Sequence, residues 1–444
     1  VMYESLTYVA AHEVGHCLGL MHNMGASYSF SLDDLRDPEF TSLHGTTPSI
    51  MDSARNNFVA QPGDLERGVR LTPPPIGVYD IYAINWGYRI IPGVASMEDE
   101  KPQLDAWIRE KAGDPMYEFG PQQVLGLADP TDQTEDLGND HIAAGNLSIS
   151  NLKIIMQNLE EWAGDPGEDY DSVDKAYRAV VSQYLRHIGH VYPYIGGVVF
   201  KEIRQGRDEG NARTFIPRSQ QKKALDWLLA QARSCDWLEP KDLMSKFEEP
   251  YLWRQKMNRN IVSCLLLPIN LQRIKEGGLI DPVANYTLQQ YMDDAVNGIF
   301  EGVKKGRTIN DTERTLQSTA VDIMTKFSGL KIEQKKSPTK AISDDADMEF
   351  IALLAGSSNS GMGCDYFLPS GINADADRSF FRLLVNQTSL PAAELCPLMA
   401  ARLKQVLSFY KSGRALVSDP ATRDFFDYQI LRISNLFNPH SNTL

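Results

Sequence analysis

Apolar residues recur along this chain mostly at helical spacing. Leu6, Val9, Ala10, Val14, Cys17 and Leu18 fall on one stripe, which predicts an amphipathic helix over Val1–Leu20. A short helix is expected from Ser31, capped by that serine. Val78–Tyr88 reads as a further helix, stopped by Gly87. The pattern changes at Arg89–Gly93, which reads as a boundary. Beyond it, stripes predict helices over Glu100–Lys111, Leu147–Trp162, Ser172–Ile188, Ser219–Ser234, Lys241–Glu248, Met257–Ile274, Thr287–Val303 and Asp311–Phe327. Val198–Arg204 is the one strand-like run. Lys331–Asp347 is charged and poor in large apolar residues, and Ser357–Gly363 is small and polar, so both read as linkers or loops. Two more helices are expected near Ala393–Tyr410 and Ala421–Leu436. The chain therefore divides into 1–93, a helical domain over 94–335, and a C-terminal helical region over 336–444, continuous with or separate from the domain before it.

The chemistry sits in the first of these helices. His12-Glu13-Val14-Gly15-His16-Cys17-Leu18-Gly19-Leu20-Met21-His22 carries three imidazoles at fixed spacing. His12 and His16 are four residues apart, so a helix stacks them on one face within reach of one metal ion. Gly19 can take the positive φ that ends the helix and turns His22 back as a third ligand. Three protein ligands leave a coordination position open, which is the catalytic rather than the structural zinc pattern. Glu13 is placed to take a proton from water activated at that position.

This eleven-residue run resembles the zinc motif of the metzincins, zinc peptidases with a methionine turn. Pro48-Ser49-Ile50-Met51-Asp52 matches the second metzincin signature. The resemblance implies that Met51 packs beneath the zinc and its histidines without ligating it. The wider run Ser49–Asp64 is similar to the large zinc-dependent metalloproteases of Bacteroidetes. Two positions depart from the better-known subfamilies. Asn23 follows the third histidine where those carry Asp, Glu, Ser or Pro, and Ser53 stands where astacins and serralysins carry a tyrosine. The implied fold is mainly α: a metzincin lower subdomain, made of zinc helix, Met-turn and closing helix, followed by a large, mostly helical region. Val78–Tyr88 is similar to the closing helix, and Asp80 on it is either an anchor for the loop around Met51 or a solvated carboxylate.

Composition narrows the partners. The net charge of −14 over 444 residues disfavours nucleic acid, and no apolar run is long enough to span a bilayer. Cys17, Cys235, Cys264, Cys364 and Cys396 are scattered and odd in number, and do not read as a disulfide scaffold; Cys17 reads as a packing residue. The acidic run Asp129–Asp140 reads as a solvated loop capping the next helix rather than a calcium site, since its spacing does not fit an EF-hand. His187 and His190 read as an ordinary helix end, His44 is isolated, and Arg213, Arg218, Lys222 and Lys223 form a small basic cluster. The expectation is a zinc-dependent endopeptidase with one catalytic Zn2+, acting on protein or peptide. Its alternatives are a zinc hydrolase of another substrate and a non-catalytic, zinc-stabilised binding fragment. Val1 is not an initiator methionine and no signal peptide is visible. Metzincins place an upper subdomain before the zinc helix, so the chain reads as the C-terminal piece of a precursor whose upstream portion partners it. The resemblance further implies export to the periplasm, the cell surface or the medium.

Overall fold

The computed structural model describes residues 2–54, 56–123, 128–205, 209–248, 252–330 and 389–438. It is mainly helical, with one two-stranded antiparallel sheet among the described residues. Two compact units are present: Val1–Pro166 with Lys175–Val191, and Gly167–Asp174 with Tyr192–Leu444.

The first unit opens with α1 (Met2–Cys17). This helix buries His12 and Gly15, while Leu6, Val9, Val14 and Leu18 lie exposed. The apolar stripe therefore does not face the interior as expected, and Cys17 is exposed rather than packed. The helix packs through its motif face instead, because the metal motif and the Met-turn share that side. The short helix expected from Ser31 is a single 3-10 turn, Asp34–Arg36, with Ser31 before it. That serine exchanges hydrogen bonds with Asp34, at 2.7 and 3.1 Å, around this turn, and α2 (Pro38–His44) follows. Asp37 caps α2 by accepting from the Phe40 N–H, and Pro38 fits its first turn because no intrahelical donor is lost there. α3 (Val78–Tyr88) and α4 (Met97–Lys111) come next. α5 (His141–Gln157) is capped by Asp140, which accepts from the Ile142 and Ala143 N–H groups. α6 (Asp171–Val191) supplies the last helix of this unit.

One core joins the early and later parts of the first unit. Phe30, Leu35, Ala54 and Val59 pack with Leu137 and Ala144, so segments on both sides of Gly93 contribute to it. The acidic run is not a solvated loop. Asp129, Glu135 and Asp136 are buried, and Asp136 accepts from His141 Nε2 at 2.7 Å. His187 and His190 are buried too: His187 meets Ser148 and Gln183, and His190 Nε2 donates to Thr134 O at 3.1 Å. Burial holds the His187 pKa down at about 3, so this imidazole stays neutral.

The second unit carries the sheet, β1 (Val198–Phe200) against β2 (Arg213–Phe215), with Val198 opposite Phe215. Its longer helices are α7 (Arg218–Arg233), α8 (Trp253–Leu265), α9 (Pro268–Ile280), α10 (Leu288–Ile299), α11 (Asp311–Phe327), α12 (Ala392–Leu416) and α13 (Pro420–Phe437). α8 and α9 replace the single helix expected over Met257–Ile274. Pro268 lacks an N–H and disfavours helical backbone in the residue before it, so the helix breaks there. α8 packs on α11, α11 on α12, and α12 on α13. Their shared interior is aromatic: the Tyr410 ring lies 5.8 Å from Phe300 and 5.3 Å from Phe426, and its hydroxyl donates to Gln317 Oε1 at 3.0 Å. The basic cluster is paired with acids: Arg213 with Glu276 at 2.8 Å, and Lys222 with Asp226 one turn away. The linker runs expected at Lys331–Asp347 and Ser357–Gly363 lie outside the described residues.

Leu137 has no exposed surface and sits centrally in the first unit's core. Leu137→Ala is expected to destabilise that unit by about 2–5 kcal/mol, the range for emptying a packed leucine site. Denaturant unfolding followed by tryptophan fluorescence measures it. A loss of only a few tenths would show that the two segments are not joined by this core.

Candidate metal centre

His12, His16 and His22 converge. Their ring centroids lie 4.7–5.2 Å apart, and one ligand atom from each falls within 4.8 Å of the other two. They are the one group of three or more His, Cys, Asp or Glu among the described residues able to hold a metal ion. The local sequence explains the convergence. α1 presents His12 and His16 one turn apart. The helix then ends, and Gly19 adopts a φ of +85°, turning the chain so that His22 faces back.

Each imidazole is held by an oxygen that can only accept. His12 Nδ1 meets the Ile50 carbonyl at 2.6 Å, His16 Nδ1 the Leu20 carbonyl at 3.0 Å, and His22 Nδ1 the side-chain oxygen of Gln122 at 2.8 Å. An acceptor at Nδ1 requires the proton there, which leaves the Nε2 lone pair of a neutral ring for a metal. Burial lowers the pKa of His12 and of His22, which favours the neutral, ligating form. His16 Nε2 and His22 Nε2 stand 3.2 Å apart. Two lone pairs at that separation repel unless a cation or proton lies between them. A tetrahedral ion with nitrogens at about 2.0–2.1 Å sets such atoms about 3.3–3.4 Å apart. The residues present therefore fit zinc.

Met51 lies beneath this group with no exposed surface. A Cβ added to Gly15 would meet the Met51 sulfur at 2.4 Å, so the glycine between His12 and His16 is what admits Met51 to the underside of α1. The turn carrying Met51 is fixed by Asp80. That carboxylate accepts from Ser49 Oγ at 2.7 Å, the Ile50 N–H at 2.8 Å and the Gly77 N–H at 2.7 Å. Asp80 is thus the anchor of the Met-turn and not a solvated surface acid. Asp52, next to Met51, is wholly buried and accepts from the Ser27 N–H at 2.6 Å and Thr47 Oγ1 at 3.1 Å. Burial, with a contribution from nearby Asp136, pushes its pKa well above the usual carboxylate range. Tyr8 of α1 donates to the Asp52 carbonyl. Glu13 is exposed on α1, beside the histidines, and its charge acts on both His12 and His22. His44 lies apart from the group, its ring against Phe40 at 4.7 Å.

The residues that sequence reasoning missed come from far along the chain. Asn23 Nδ2 donates to Glu118 O at 3.1 Å, its Oδ1 accepts from the Gly120 N–H at 2.8 Å, and the Met24 N–H donates to Gly120 O at 2.7 Å. The strap Glu118–Gln122 is thereby laid against the chain leaving His22. Beneath it the Asp132 carboxyl approaches Gly25 and Gly120 so closely that a Cβ on either would collide with it. No local pattern near His22 signals a partner ninety-odd residues downstream. The Asn in place of the usual residue after the third histidine was the one available hint.

Two expectations follow from this packing. Gly15→Ala drives a methyl group into Met51 and is expected to cost about 1–3 kcal/mol, as overpacking does. Thermal unfolding measures it, and an unchanged melting temperature would mean that Met51 moves aside freely. Asp132 has its pKa raised to about 7, by burial first and by Asp129 second. A carboxyl whose folded pKa exceeds its unfolded value adds stability that is complete below about 4 and is lost as pH rises to 7. Asp132→Asn is therefore expected to gain on the parent chain as pH rises from 4 to 7, with the gap constant above. A gap independent of pH would contradict the raised pKa.

The comparisons with known proteins agree with this geometry. No curated protein and no solved structure matches the chain. A family model described as Met-zincin matches residues 1–307, which include the histidines, Met51, Asp80 and the strap. The chain belongs to the Met-zincin family of zinc-dependent metallopeptidases.

Proposed function

We propose that this chain carries the catalytic zinc site of an endopeptidase, with His12, His16 and His22 as ligands and Glu13 as general base. The observation that carries this reading is the convergence of three imidazoles, each with Nδ1 held by an acceptor and Nε2 directed to the common centre. Zinc, when bound there, supplies Lewis-acid polarisation of a scissile carbonyl and of a water. The chain's own residues do the rest. The three acceptor oxygens fix the tautomer and orientation of the ligands. Met51 gives them an apolar floor. The Glu13 carboxylate, adjacent in sequence to a ligand and open to solvent, takes the proton from water and returns it to the leaving amine.

The substrate proposed is a protein or peptide. The exposed apolar side of α1, with Leu6, Val9, Val14 and Leu18, supports the further reading that the upstream portion of the precursor covers it. The proposed location is the periplasm, cell surface or medium of a bacterium, on the strength of the family resemblance. No helix among the described residues is long and apolar enough to cross a membrane.

Glu13→Gln separates these roles. With the upstream portion present, it is expected to keep stoichiometric zinc and lose peptide hydrolysis by roughly 10²–10⁴-fold, the span of a general base. A peptide-library digest beside non-peptide amides measures the loss and the substrate class together. Cleavage at the parent rate would remove Glu13 from the mechanism. A zinc-loaded parent that cleaves nothing would favour the non-catalytic alternative.

A further inference from the structure

The strap Glu118–Gln122 does more than cover a turn. His22 is the one ligand of the three that does not stand on α1, and it follows a turn at Gly19. Its ring orientation therefore depends on what grips it from outside the helix. That grip is the Gln122 side chain, through the 2.8 Å hydrogen bond from His22 Nδ1. His12 and His16 differ in kind, because their Nδ1 atoms bond to backbone carbonyls, which no side-chain substitution removes.

We propose that Gln122 is the positioning residue for the third metal ligand, and that Asn23 is the residue that docks the strap carrying it. This rests on the three histidines being the zinc ligands. Asn23 is fully buried and uses its side chain as a peptide group would, donating to Glu118 O and accepting from the Gly120 N–H. Its own backbone N–H donates to Met51 O at 2.9 Å. One residue thus ties together the Met-turn, the chain leaving His22 and the strap. The amide does this from two separate atoms, Nδ2 donating and Oδ1 accepting, as a peptide group does. An ionised Asp or Glu, or a Pro, at this position lacks the donor, and a Ser would have to donate and accept through its single hydroxyl oxygen, which gives the departure at Asn23 a physical reason. The isolated bridge between Asn23 and Pro121 continues the pairing to the residue before Gln122. Metal affinity is then set by a segment about a hundred residues from the motif.

The test is zinc affinity by chelator competition, with thermal unfolding of the metal-free forms as a control for structure. Gln122 is exposed, so its replacement leaves the core intact. Gln122→Ala is expected to weaken zinc binding roughly 10–100-fold, the usual effect of removing an outer partner of a ligating histidine. Its metal-free melting temperature should match the parent's. Gln122→Glu keeps an acceptor oxygen at the same reach and is expected to bind zinc at least as tightly as the parent. Equal affinity in Gln122→Ala would overturn the proposal while leaving the zinc site standing. So would the same loss in Gln122→Glu, or a loss matched by a lower metal-free melting temperature. Failure of the parent chain to bind zinc would overturn both this proposal and the function on which it rests.

Discussion

The peptide groups of Ile50 are the point on which the site depends. The N–H of Ile50 donates to Asp80, and its carbonyl holds Nδ1 of His12. One short turn is therefore pinned by a buried carboxylate on α3 and in turn pins His12 on α1. Met51, the next residue, fills the space that Gly15 leaves under the helix. A carboxylate buried like Asp80 is costly unless its oxygens are satisfied. Here three donors do so, and a substitution that removes them would leave the charge without compensation. The Met-turn is thus held by polar bonds and used for its apolar surface.

Around this centre the first unit holds several buried polar and titratable side chains. Asp52, Asp136, His141, His187 and His190 are all buried, and each has a named partner. Buried polar groups linked in this way favour the arrangement that pairs them, since separating the partners leaves buried donors and acceptors unsatisfied. They explain why Asp129, Gln133, Glu135 and Asp136 are interior, while Asn139 and Asp140 at the end of that loop stay exposed. Its carboxylates serve as acceptors for His141 and for backbone groups rather than as a solvated surface. α1 has the opposite character, with its apolar side outward and the side of His12 and Gly15 inward.

Much of the centre was legible in the sequence because its information is local. Spacing alone put His12 and His16 on one face, gave Gly19 its turn, and brought His22 back. Met51 was placed by resemblance, and the structure sets it under Gly15. Other features were misread for identifiable physical reasons. The stripe on α1 was assigned to the interior because periodicity reports an apolar face without saying what covers it. Asp80 was left open between anchor and surface, since Ser49 and Ile50, the donors that make it an anchor of the Met-turn, lie about thirty residues earlier. His187 and His190 do lie near a helix end, as read, but their burial was not foreseen, and the acidic run was read as solvated, because partners such as Ser148 and Thr134 come from other segments; the run's expected cap on the next helix is there in Asp140. The strap was not found at all, as Gln122 has no neighbouring signal. The break at Pro268, by contrast, was readable from the proline itself and was passed over in favour of the longer stripe.

The central claim is that three imidazole nitrogens, and no sulfur, hold one zinc ion. X-ray absorption at the zinc edge on the zinc-loaded chain tests it most directly, because nitrogen and sulfur ligands differ in distance by about 0.2–0.3 Å. The account predicts one zinc per chain with histidine nitrogens at about 2.0–2.1 Å and a first shell free of sulfur. A sulfur shell at about 2.3 Å, from Met51 or Cys17, or a shell lacking histidine scattering, would contradict it.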